Sequence, residues 1–413
     1  MNQSHAVQDG DIATKTYDPL DHDVKQNPYP FYNQLRRDEP VKWLEGMQAF
    51  AVASYEEVDA LLKNGKLYSS AQFWPALLGE FDPVPEVPPM ISMDPPNHIH
   101  LRKIANKAFT PSKIQALQER ANNIAHELID DIIAKHGNEG ECDWVWDFCA
   151  LFPVTVISEV LGVPTERRAE FKVWVDDTLA AANRAAYDAP RLAQIKANSE
   201  QLRAFMEDII ALRTAEPGND IISTLIQADV QGEKLSHVQV LSMAVLLLIG
   251  GVETTTNLLG STLTLLHRYP DVERRVRNDP SLIPALLEEV LRFEPPVQMI
   301  FRHTTEDTEL AGVAIPKGST IMPLLASANR DESKFPNGEV FDIDRKVSVP
   351  IMSFGQGPHF CLGSYLSRME AGKALEVVFK RLTLLEPLSK DVHWIDSYFA
   401  RGPHELRVRF KAQ

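Results

Sequence analysis

One stretch of the chain, Phe354-Gly355-Gln356-Gly357-Pro358-His359-Phe360-Cys361-Leu362-Gly363, surrounds a single cysteine with three glycines and a proline. The residues that follow have the apolar spacing of a helix, which we expect from about Leu362 to Leu382. Cys361 would then lie at a helix N-terminus, where unpaired backbone N–H groups and the helix dipole stabilise a thiolate. Glycines also allow a loop to lie flat against a broad ligand, because they have no Cβ atom.

Three interpretations of Cys361 follow from these residues. A cysteine in isolation is most often a small buried hydrophobe. A zinc site is weaker, because His359 and Cys361 supply only two of four ligands and no second Cys/His pair lies at a useful spacing. An axial thiolate ligand to haem iron uses both the helix N-terminus and the flat glycine loop.

A second motif, Gly250-Gly251-Val252-Glu253-Thr254-Thr255, lies inside the longest predicted helix, Ser236 to His267. Two adjacent glycines in a helix cost about 1 kcal/mol each relative to alanine, so a distortion or a close ligand should offset them. The Thr254 hydroxyl could bond to the Gly250 carbonyl, open the helical ladder and leave a groove for a diatomic molecule. Helix packing by the glycines and a salt-bridged Glu253 are the alternative.

Two further pairs of residues share a helical face. Glu289 and Arg292 stand three apart before Pro295, in a helix that we expect from Pro280 to about Glu294. His98 and Arg102 stand four apart, and two cationic donors on one face suit a carboxylate.

The rest of the chain predicts a mainly α-helical fold with small β-sheets. A hairpin is expected from Val41–Leu44 and 49–53, strand-like residues between 301 and 322, and a last hairpin that ends at Phe410. Seven prolines forbid a long helix over residues 73–96, where an ordered loop is expected. Residues 1–16 read as a flexible arm, and residues 17–413 as one large domain.

Composition excludes several classes of protein. The formal net charge of −15 opposes binding to nucleic acid. The longest apolar run, Val238 to Val252, is shorter than the ~20 residues of a membrane span, and the N-terminus has no signal peptide. Three cysteines are too few for a disulfide framework and fit a reducing compartment. The sequence therefore predicts a cytoplasmic protein without a membrane anchor.

The segment around Cys361 resembles the haem-ligand loop of the cytochrome P-450 family, Phe-Gly-x-Gly-x-His-x-Cys-x-Gly, in its soluble bacterial type. The resemblance extends from Pro28-Tyr29-Pro30 through Ala328-Asn329-Arg330-Asp331 to Arg401-Gly402-Pro403. It implies a single large domain with haem b (iron protoporphyrin IX) between the central helix and the helix that follows the cysteine loop.

The same resemblance implies roles for individual residues. Cys361 would ligate the iron, and Glu253 and Thr254 would deliver protons during oxygen activation. Glu289 and Arg292 would act with Arg345 to fix the loop under the haem. The implied haem contacts are His98, Arg102, Gly250, Arg302, Phe354, His359, Cys361 and Gly363. The implied substrate pocket comprises Phe73, Trp74, Leu77, Leu246, Ile249, Val297, Met299, Ile300, Tyr398 and Phe399.

The implied reaction inserts one oxygen atom from O2 into a hydrophobic small molecule, by hydroxylation or epoxidation. A terpenoid, steroid, fatty acid or polyketide would suit the apolar pocket. Because the chain has no Rossmann fingerprint, a separate ferredoxin and an NAD(P)H-dependent reductase would supply the electrons to a monomeric enzyme. A basic patch for the ferredoxin could comprise Arg102, Lys103, Lys107, Lys113, Arg368 and Lys373.

Two other functions stay open at this point. A peroxide-driven haem-thiolate peroxygenase would need no proton relay, so the presence of both Glu253 and Thr254 argues against it. A haem sensor or carrier without turnover is compatible with the same fold.

Overall fold

A computed structural model describes residues 15–230, 233–346 and 348–413, so that the expected arm, residues 1–16, lies almost wholly outside the described residues. Helices dominate the fold, as the sequence predicts. The α-helices are α1 (His22–Gln26), α2 (Tyr29–Asp38), α3 (Tyr55–Lys63), α4 (Phe73–Leu78), α5 (Asn97–Ala108), α6 (Pro111–Ala116), α7 (Gln118–His136), α8 (Leu151–Leu161), α9 (Arg168–Ala180), α10 (Ala189–Ala215), α11 (Ile221–Gln227), α12 (His237–Arg268), α13 (Pro270–Asn278), α14 (Ile283–Phe293), α15 (Leu325–Ala328) and α16 (Ser364–Arg381).

Strands and short helical turns fill the remainder. The strands are β1 (Val41–Leu44), β2 (Ala49–Val52), β3 (Tyr68–Ser69), β4 (Glu139–Asp143), β5 (Asp229–Val230), β6 (Glu233–Lys234), β7 (Arg302–Thr304), β8 (Thr308–Leu310), β9 (Val313–Ile315), β10 (Thr320–Pro323), β11 (Leu382–Pro387) and β12 (Arg407–Ala412). The 3₁₀ turns are Glu45–Met47, Gly79–Phe81, Met90–Ser92, Thr165–Arg167, Ala181–Ala186, Pro280–Leu282 and Gly357–His359, and Val145–Ala150 is a π turn.

The central helix α12 follows the predicted capping box. Ser236 accepts a hydrogen bond from the Gln239 N–H, and the Gln239 side chain accepts one from the Ser236 N–H. Its apolar residues pack against α8, α9, α10, α14 and α16. We expected the hydrogen-bond ladder of this helix to open at Gly250 and Gly251. The helix instead remains continuous through both residues.

By length and composition alone, α12 could also cross a membrane. The sequence did not reveal this, because its uninterrupted apolar run extends only from Val238 to Val252. A buried helix in the core of a globular protein passes the same test, and one such helix is weak evidence of a span. Because most residues of α12 are covered by other helices, packing in the core accounts for its apolar composition.

The described residues form four sheets, of which two have more than two strands. The first has the strand order β1-β2-β10-β7-β3, and the second has the order β11-β12-β4. The hairpin predicted near the start is confirmed, with Val41 opposite Val52, and so is the last hairpin, formed by β11 and β12. Strand β4 was not expected, because its sequence, Glu-Gly-Glu-Cys-Asp, has low strand propensity and only pairing with β12 holds it extended.

The proline-rich segment 73–96 is ordered, as predicted, but it contains short helical pieces. Phe73–Leu78 forms α4, because Pro75 lies in the first turn, where a helix needs no N–H from it. Phe73, Trp74 and Leu77 are buried in the main hydrophobic core. The segment therefore packs as part of the protein rather than as a linker.

Candidate functional site

The loop that carries Cys361 is held in place by its glycines. Gly355 and Gly357 have φ angles of 67° and 68°, which favour glycine over other residues. A Cβ atom on Gly357 would lie 2.6 Å from the backbone oxygen of Leu62 at the end of α3. Gly363, in contrast, has no atom within 4 Å of where its Cβ would be. Gly355 and Gly357 are thus required by the backbone conformation of the loop. Gly363 instead leaves space free, as expected for a loop that lies against a broad ligand.

Cys361 lies just before α16, as predicted. Its N–H donates to the Phe354 carbonyl at 2.9 Å, and α16 begins three residues later at Ser364. Its side chain retains accessible surface. Cys142 and Cys149 are buried, and burial raises the pKa of Cys142 to about 12. Cys361 is therefore the one cysteine placed to bind a ligand.

The protein alone does not make Cys361 a thiolate. Burial raises the pKa of its thiol, whereas the Gly363 N–H and the charges of Arg102 and Arg368 lower it without reversing the net effect. A bound cation supplies what is missing, because a metal ion deprotonates a coordinating thiol outright. The donor chemistry at this position therefore suits a sulfur ligand to a metal.

Four groups from three parts of the chain meet beside the cysteine loop. His98 and Arg102 come from α5, Arg302 from β7, and His359 from the loop itself. The rings of His98 and His359 are 4.0 Å apart. Burial and the nearby charges of His98, Arg302 and Arg102 lower the pKa of His359 to about 3. The structure thus brings all four predicted haem-edge residues together.

We call His98, Arg102, Arg302 and His359 the cation cluster after its two arginines, and among the described residues much of its hydrogen-bonding capacity is unused. Both ring nitrogens of the buried His98 have no hydrogen-bond partner. Arg302 is 4% exposed, and burial lowers its pKa to about 10. Buried donors without partners are costly, and carboxylates would satisfy them. The cluster therefore fits a group with carboxylate arms, such as the two propionates of haem.

The central helix presents an open face at the second motif. Gly250 is exposed in the middle of an otherwise buried helix, and a Cβ atom on it would meet no atom within 4 Å. A Cβ on Gly251 would instead lie 3.0 Å from Ile157 of α8. The Thr254 hydroxyl donates to the Gly250 carbonyl at 2.8 Å, as predicted. The two glycines thus serve different purposes, one facing open space and the other allowing close helix packing.

Glu253 lies in a buried ionic group, as the alternative interpretation of the motif expected, but the sequence did not identify its partners. Lys172 of α9 contacts both Glu253, at 3.3 Å, and Asp176, and the Asn257 amide donates to Glu253 at 3.1 Å. Although burial alone would raise the pKa of Glu253, Lys172 lowers it, whereas burial and Glu253 together raise the pKa of Asp176. Asn257, four residues from Glu253, could have been found by helical spacing, but nothing in the sequence links Lys172 to it.

The Glu289–Arg292 pair is buried and bidentate, with distances of 2.7 and 2.8 Å. Arg292 also donates to the carbonyls of Asn329 and Gly338. Arg345 contacts Glu289 at 3.3 Å, as the resemblance implied. These bonds hold the chain that leads into the cysteine loop.

Other ways of holding a metal find no support. Among the side chains that the structure describes, no group of three or more His, Cys, Asp or Glu residues could bind a metal ion. A zinc site at Cys361 is therefore not favoured, whereas a haem needs only one protein ligand to its iron.

Residues 20–410 match the sequence profile of the family described as Cytochrome P450. The chain belongs to the cytochrome P450 family. It is 36% identical to mycinamicin IV hydroxylase/epoxidase of Micromonospora griseorubida, over 91% of this chain and 94% of that protein. This P450 is accordingly a monooxygenase, and its cofactor is protoporphyrin IX haem.

Solved P450 structures resemble it over nearly their full length. Cytochrome P450 CYP109Q5 from Chondromyces apiculatus superposes with a TM-score of 0.86 at 38% identity, covering 96% of this chain and 99% of that one. CYP109E1 from Bacillus megaterium, solved with corticosterone, gives a TM-score of 0.82 at 34% identity, covering 93% and 98%. The single-domain, mainly α-helical P450 fold predicted from the sequence is thus confirmed.

The predicted pocket residues of this P450 lie in four segments: α4, the central helix α12, residues 297–300 and the C-terminal loop. Phe73 of α4 and Phe399 of the C-terminal loop have ring centroids 6.2 Å apart. Residues 297–300 are aligned with that loop, because Val297 pairs with Ala400 and the Gln298 N–H donates to the Phe399 carbonyl. Trp74, Leu77, Leu246, Ile249, Met299 and Tyr398 are buried in the core, whereas Val297, Ile300 and Phe399 are half-buried.

The predicted basic patch is only partly available. Lys103 and Lys107 are exposed on α5. Arg368 stacks on Phe354 and is paired with Glu288 at 3.0 Å, and Lys373 is paired with Glu376 at 2.8 Å. The side chain of Lys113 lies outside the part of the chain that the structure describes. Two of the expected cations therefore already have acidic partners.

Proposed function

We propose that this P450 inserts one oxygen atom from O2 into a hydrophobic small molecule, by hydroxylation or epoxidation. The observation that carries the proposal is the position of Cys361 at the N-terminus of α16 beside the cation cluster. A sulfur ligand for the iron and nearby donors for the two carboxylates suit a haem, and a relative is named for hydroxylation and epoxidation.

Each side of the site has its own task. Cys361 would ligate the iron, and the cation cluster would bind the haem carboxylates. Gly250, Phe354 and Gly363 would lie against the ring, since the first and last of them face open space. When bound, the haem would supply the redox chemistry that activates O2, and the thiolate of Cys361 would favour O–O cleavage.

Glu253 and Thr254 would manage protons beside the haem. The Thr254 hydroxyl donates to Gly250, which leaves its oxygen able to accept a hydrogen bond from a third group. Lys172 keeps Glu253 ionised, and Asp176 beside it holds a proton more firmly than an ordinary aspartic acid. Proton transfer toward Thr254 would therefore require this buried group to rearrange.

The pocket favours an apolar substrate. Its ten proposed residues are nearly all aliphatic or aromatic, and the Tyr398 hydroxyl is bonded to the Ala182 carbonyl at 3.0 Å. A steroid or a polyketide is the best supported substrate among the four classes, because CYP109E1 binds corticosterone and another relative oxidises mycinamicin IV.

Electrons would come from a separate ferredoxin and its NAD(P)H-dependent reductase. The fold places the exposed Lys103 and Lys107 on α5, the helix that also bears His98 and Arg102. A negatively charged ferredoxin that docks there would lie close to the haem edge. The enzyme would act as a monomer in the cytoplasm.

The decisive test is the absorbance spectrum of the reduced, carbon-monoxide-treated protein. The wild type should show the red-shifted Soret band of a thiolate-ligated haem, and Cys361→Ser should lose it. Cys142→Ser is the matched control and should keep the band, because Cys142 is buried in β4. A Cys361→Ser protein with the wild-type spectrum would overturn the proposal.

A further inference from the structure

The segment that follows α4 is fastened to helix α10 by side chains of that helix. Lys196, Ser199 and Arg203 of α10 are spaced at i, i+3 and i+7, so they lie on one helical face. Each of them donates a hydrogen bond to a backbone carbonyl between residues 80 and 83. One face of α10 thus donates hydrogen bonds to successive carbonyl groups of residues 80–83.

These three bonds are short and well formed. The Lys196 ammonium donates to the Glu80 carbonyl at 2.8 Å, the Ser199 hydroxyl to Phe81 at 2.7 Å, and the Arg203 guanidinium to Pro83 at 3.1 Å. Because the acceptors are backbone atoms, the bonds fix the path of the loop whatever its side chains are.

Arg203 makes a second connection to the same segment. Its guanidinium forms an ion pair with Glu86 at 2.8 Å. At the other end of the segment, Arg184 donates to the Leu77 carbonyl at 3.1 Å. Arg184 belongs to the turn Ala181–Ala186, which joins α9 to α10. Residues 77–86 are therefore fastened along their length to the α9–α10 unit.

The fastened segment is continuous with one wall of the proposed pocket. Phe73, Trp74 and Leu77 lie in α4, immediately before it, and Phe81 and Val84 within it are buried. The α9–α10 unit also carries Lys172, the partner of Glu253. A shift of α10 would thus move the pocket wall with it.

We infer that Lys196, Ser199 and Arg203 are positioning residues that hold the 73–86 wall of the substrate cavity and thereby set its affinity for bulky ligands. The inference rests on the proposed function, because that function makes α4 a pocket wall. The three residues act through the backbone of residues 80–83 and need not touch the ligand themselves.

The test uses two azole probes on the haem-loaded protein. Imidazole is small and reports mainly on the iron, whereas clotrimazole fills an apolar cavity as well. The double variant Lys196→Ala/Arg203→Ala removes two of the three hydrogen-bond donors to the loop and leaves the buried Ser199 in place. A wall that must be ordered on binding weakens a bulky ligand. We expect about five-fold weaker clotrimazole binding in Soret titrations, corresponding to the loss of one or two hydrogen bonds, with imidazole affinity unchanged.

Arg213→Ala is the matched control on the same helix. Arg213 also donates to a carbonyl, that of Gly162 at 2.8 Å, and pairs with a carboxylate, that of Asp220 at 2.9 Å, but it does not contact the loop. This variant should bind both azoles as the wild type does. Charge exchange, Arg203→Glu with Glu86→Arg, should recover clotrimazole affinity relative to Arg203→Glu alone.

Hydrogen exchange gives a second measurement that does not depend on ligands. The amides of residues 79–86 should exchange faster in the double variant than in the wild type or in Arg213→Ala. Unchanged exchange, unchanged clotrimazole affinity, or an equal loss for both azoles would each overturn the inference. If neither azole shifted the Soret band of the wild type, the proposed function would fail instead.

Discussion

Thr254 is the residue to which we assign a proton role, and a neighbouring threonine offers a comparison. Thr254 and Thr256 each donate to the carbonyl four residues earlier, at 2.8 and 2.9 Å, but Thr256 is buried whereas Thr254 borders the exposed Gly250. The same hydroxyl therefore stands at an accessible face in one case and inside the core in the other.

Replacing Thr254 with alanine should separate electron use from product formation. Without the hydroxyl, product formation should fall by roughly 100-fold, the scale of one general acid–base contribution, while NADPH consumption continues. The measurement is product formed per NADPH oxidised, with a compound that shifts the Soret band. Thr256→Ala is the control and should keep wild-type coupling, whereas equal coupling in both variants would contradict a proton role for Thr254.

We expect Glu370 of α16 to make the stability of the protein depend on pH. Burial raises its pKa to about 8, and a hydrogen bond donated by Thr255 at 3.1 Å offsets only part of this. Between about pH 4.3, the ordinary value, and pH 8, the folded protein keeps a proton that the unfolded chain releases. The free energy of unfolding should therefore fall as pH rises through this window.

Glu370→Gln should remove this slope, because glutamine is neutral in both states. Urea unfolding of the haem-loaded wild type and the variant at pH 5, 6.5 and 8 gives the comparison. Their difference should change by about 1.4 kcal/mol per pH unit at most. Parallel curves across that range would show that Glu370 is ionised in the folded protein.

At the scale of elements, the cysteine loop is positioned by its contact with the end of α3. Gly357 combines a left-handed backbone with an approach so close that a Cβ would press on the Leu62 carbonyl. Gly312 also has a left-handed backbone, with φ of 80°, but open space around its Cβ position. An alanine at Gly312 would therefore introduce backbone strain alone, whereas an alanine at Gly357 would introduce backbone strain and a steric clash.

Gly357→Ala should destabilise the protein more than Gly312→Ala does. Backbone strain alone costs roughly 1–2 kcal/mol in either variant, and the clash adds to it only at Gly357. The loop should also move, so we expect faster transfer of haem from Gly357→Ala to apomyoglobin and an unchanged rate for Gly312→Ala. Equal rates in the two variants would show that α3 does not position the loop.

At the scale of the whole molecule, a net charge of −15 opposes a negatively charged ferredoxin, so docking of the proposed ferredoxin would rely on a local patch. Arg368 and Lys373 already have acidic partners, which leaves Lys103 and Lys107 on α5 as exposed cations of the proposed patch. The structure thereby reduces the basic patch predicted from the sequence to a smaller surface on α5.

Reversing both charges, Lys103→Glu/Lys107→Glu, should slow ferredoxin-driven turnover about 10-fold at low salt and weaken its dependence on salt. The measurement is the initial rate against ferredoxin concentration at two ionic strengths. Lys390→Glu, an exposed residue after β11, is a control for charge reversal elsewhere. A normal rate in the double variant would place the ferredoxin on another surface.

Much of the fold followed from local rules in the sequence. The capping box at Ser236, the glycines of the cysteine loop and the spacing of Glu289 and Arg292 predicted elements that the structure confirms. Such features depend on residues within one or two turns of each other, so one sequence is enough to identify them. Strand β4 was missed because its conformation depends on a partner strand from the other end of the chain.

The sequence by itself determined the cysteine at a helix N-terminus, the glycine-threonine motif and the predominance of helices. Tertiary structure alone decided that Lys172 lies against Glu253, 81 residues away, that the rings of His98 and His359 lie 4.0 Å apart, and that α10 donates hydrogen bonds to the segment after α4. These contacts join separate helices and loops, and their geometry depends on how the whole core packs. Local propensity carries no record of that packing, because it acts only between neighbours along the chain.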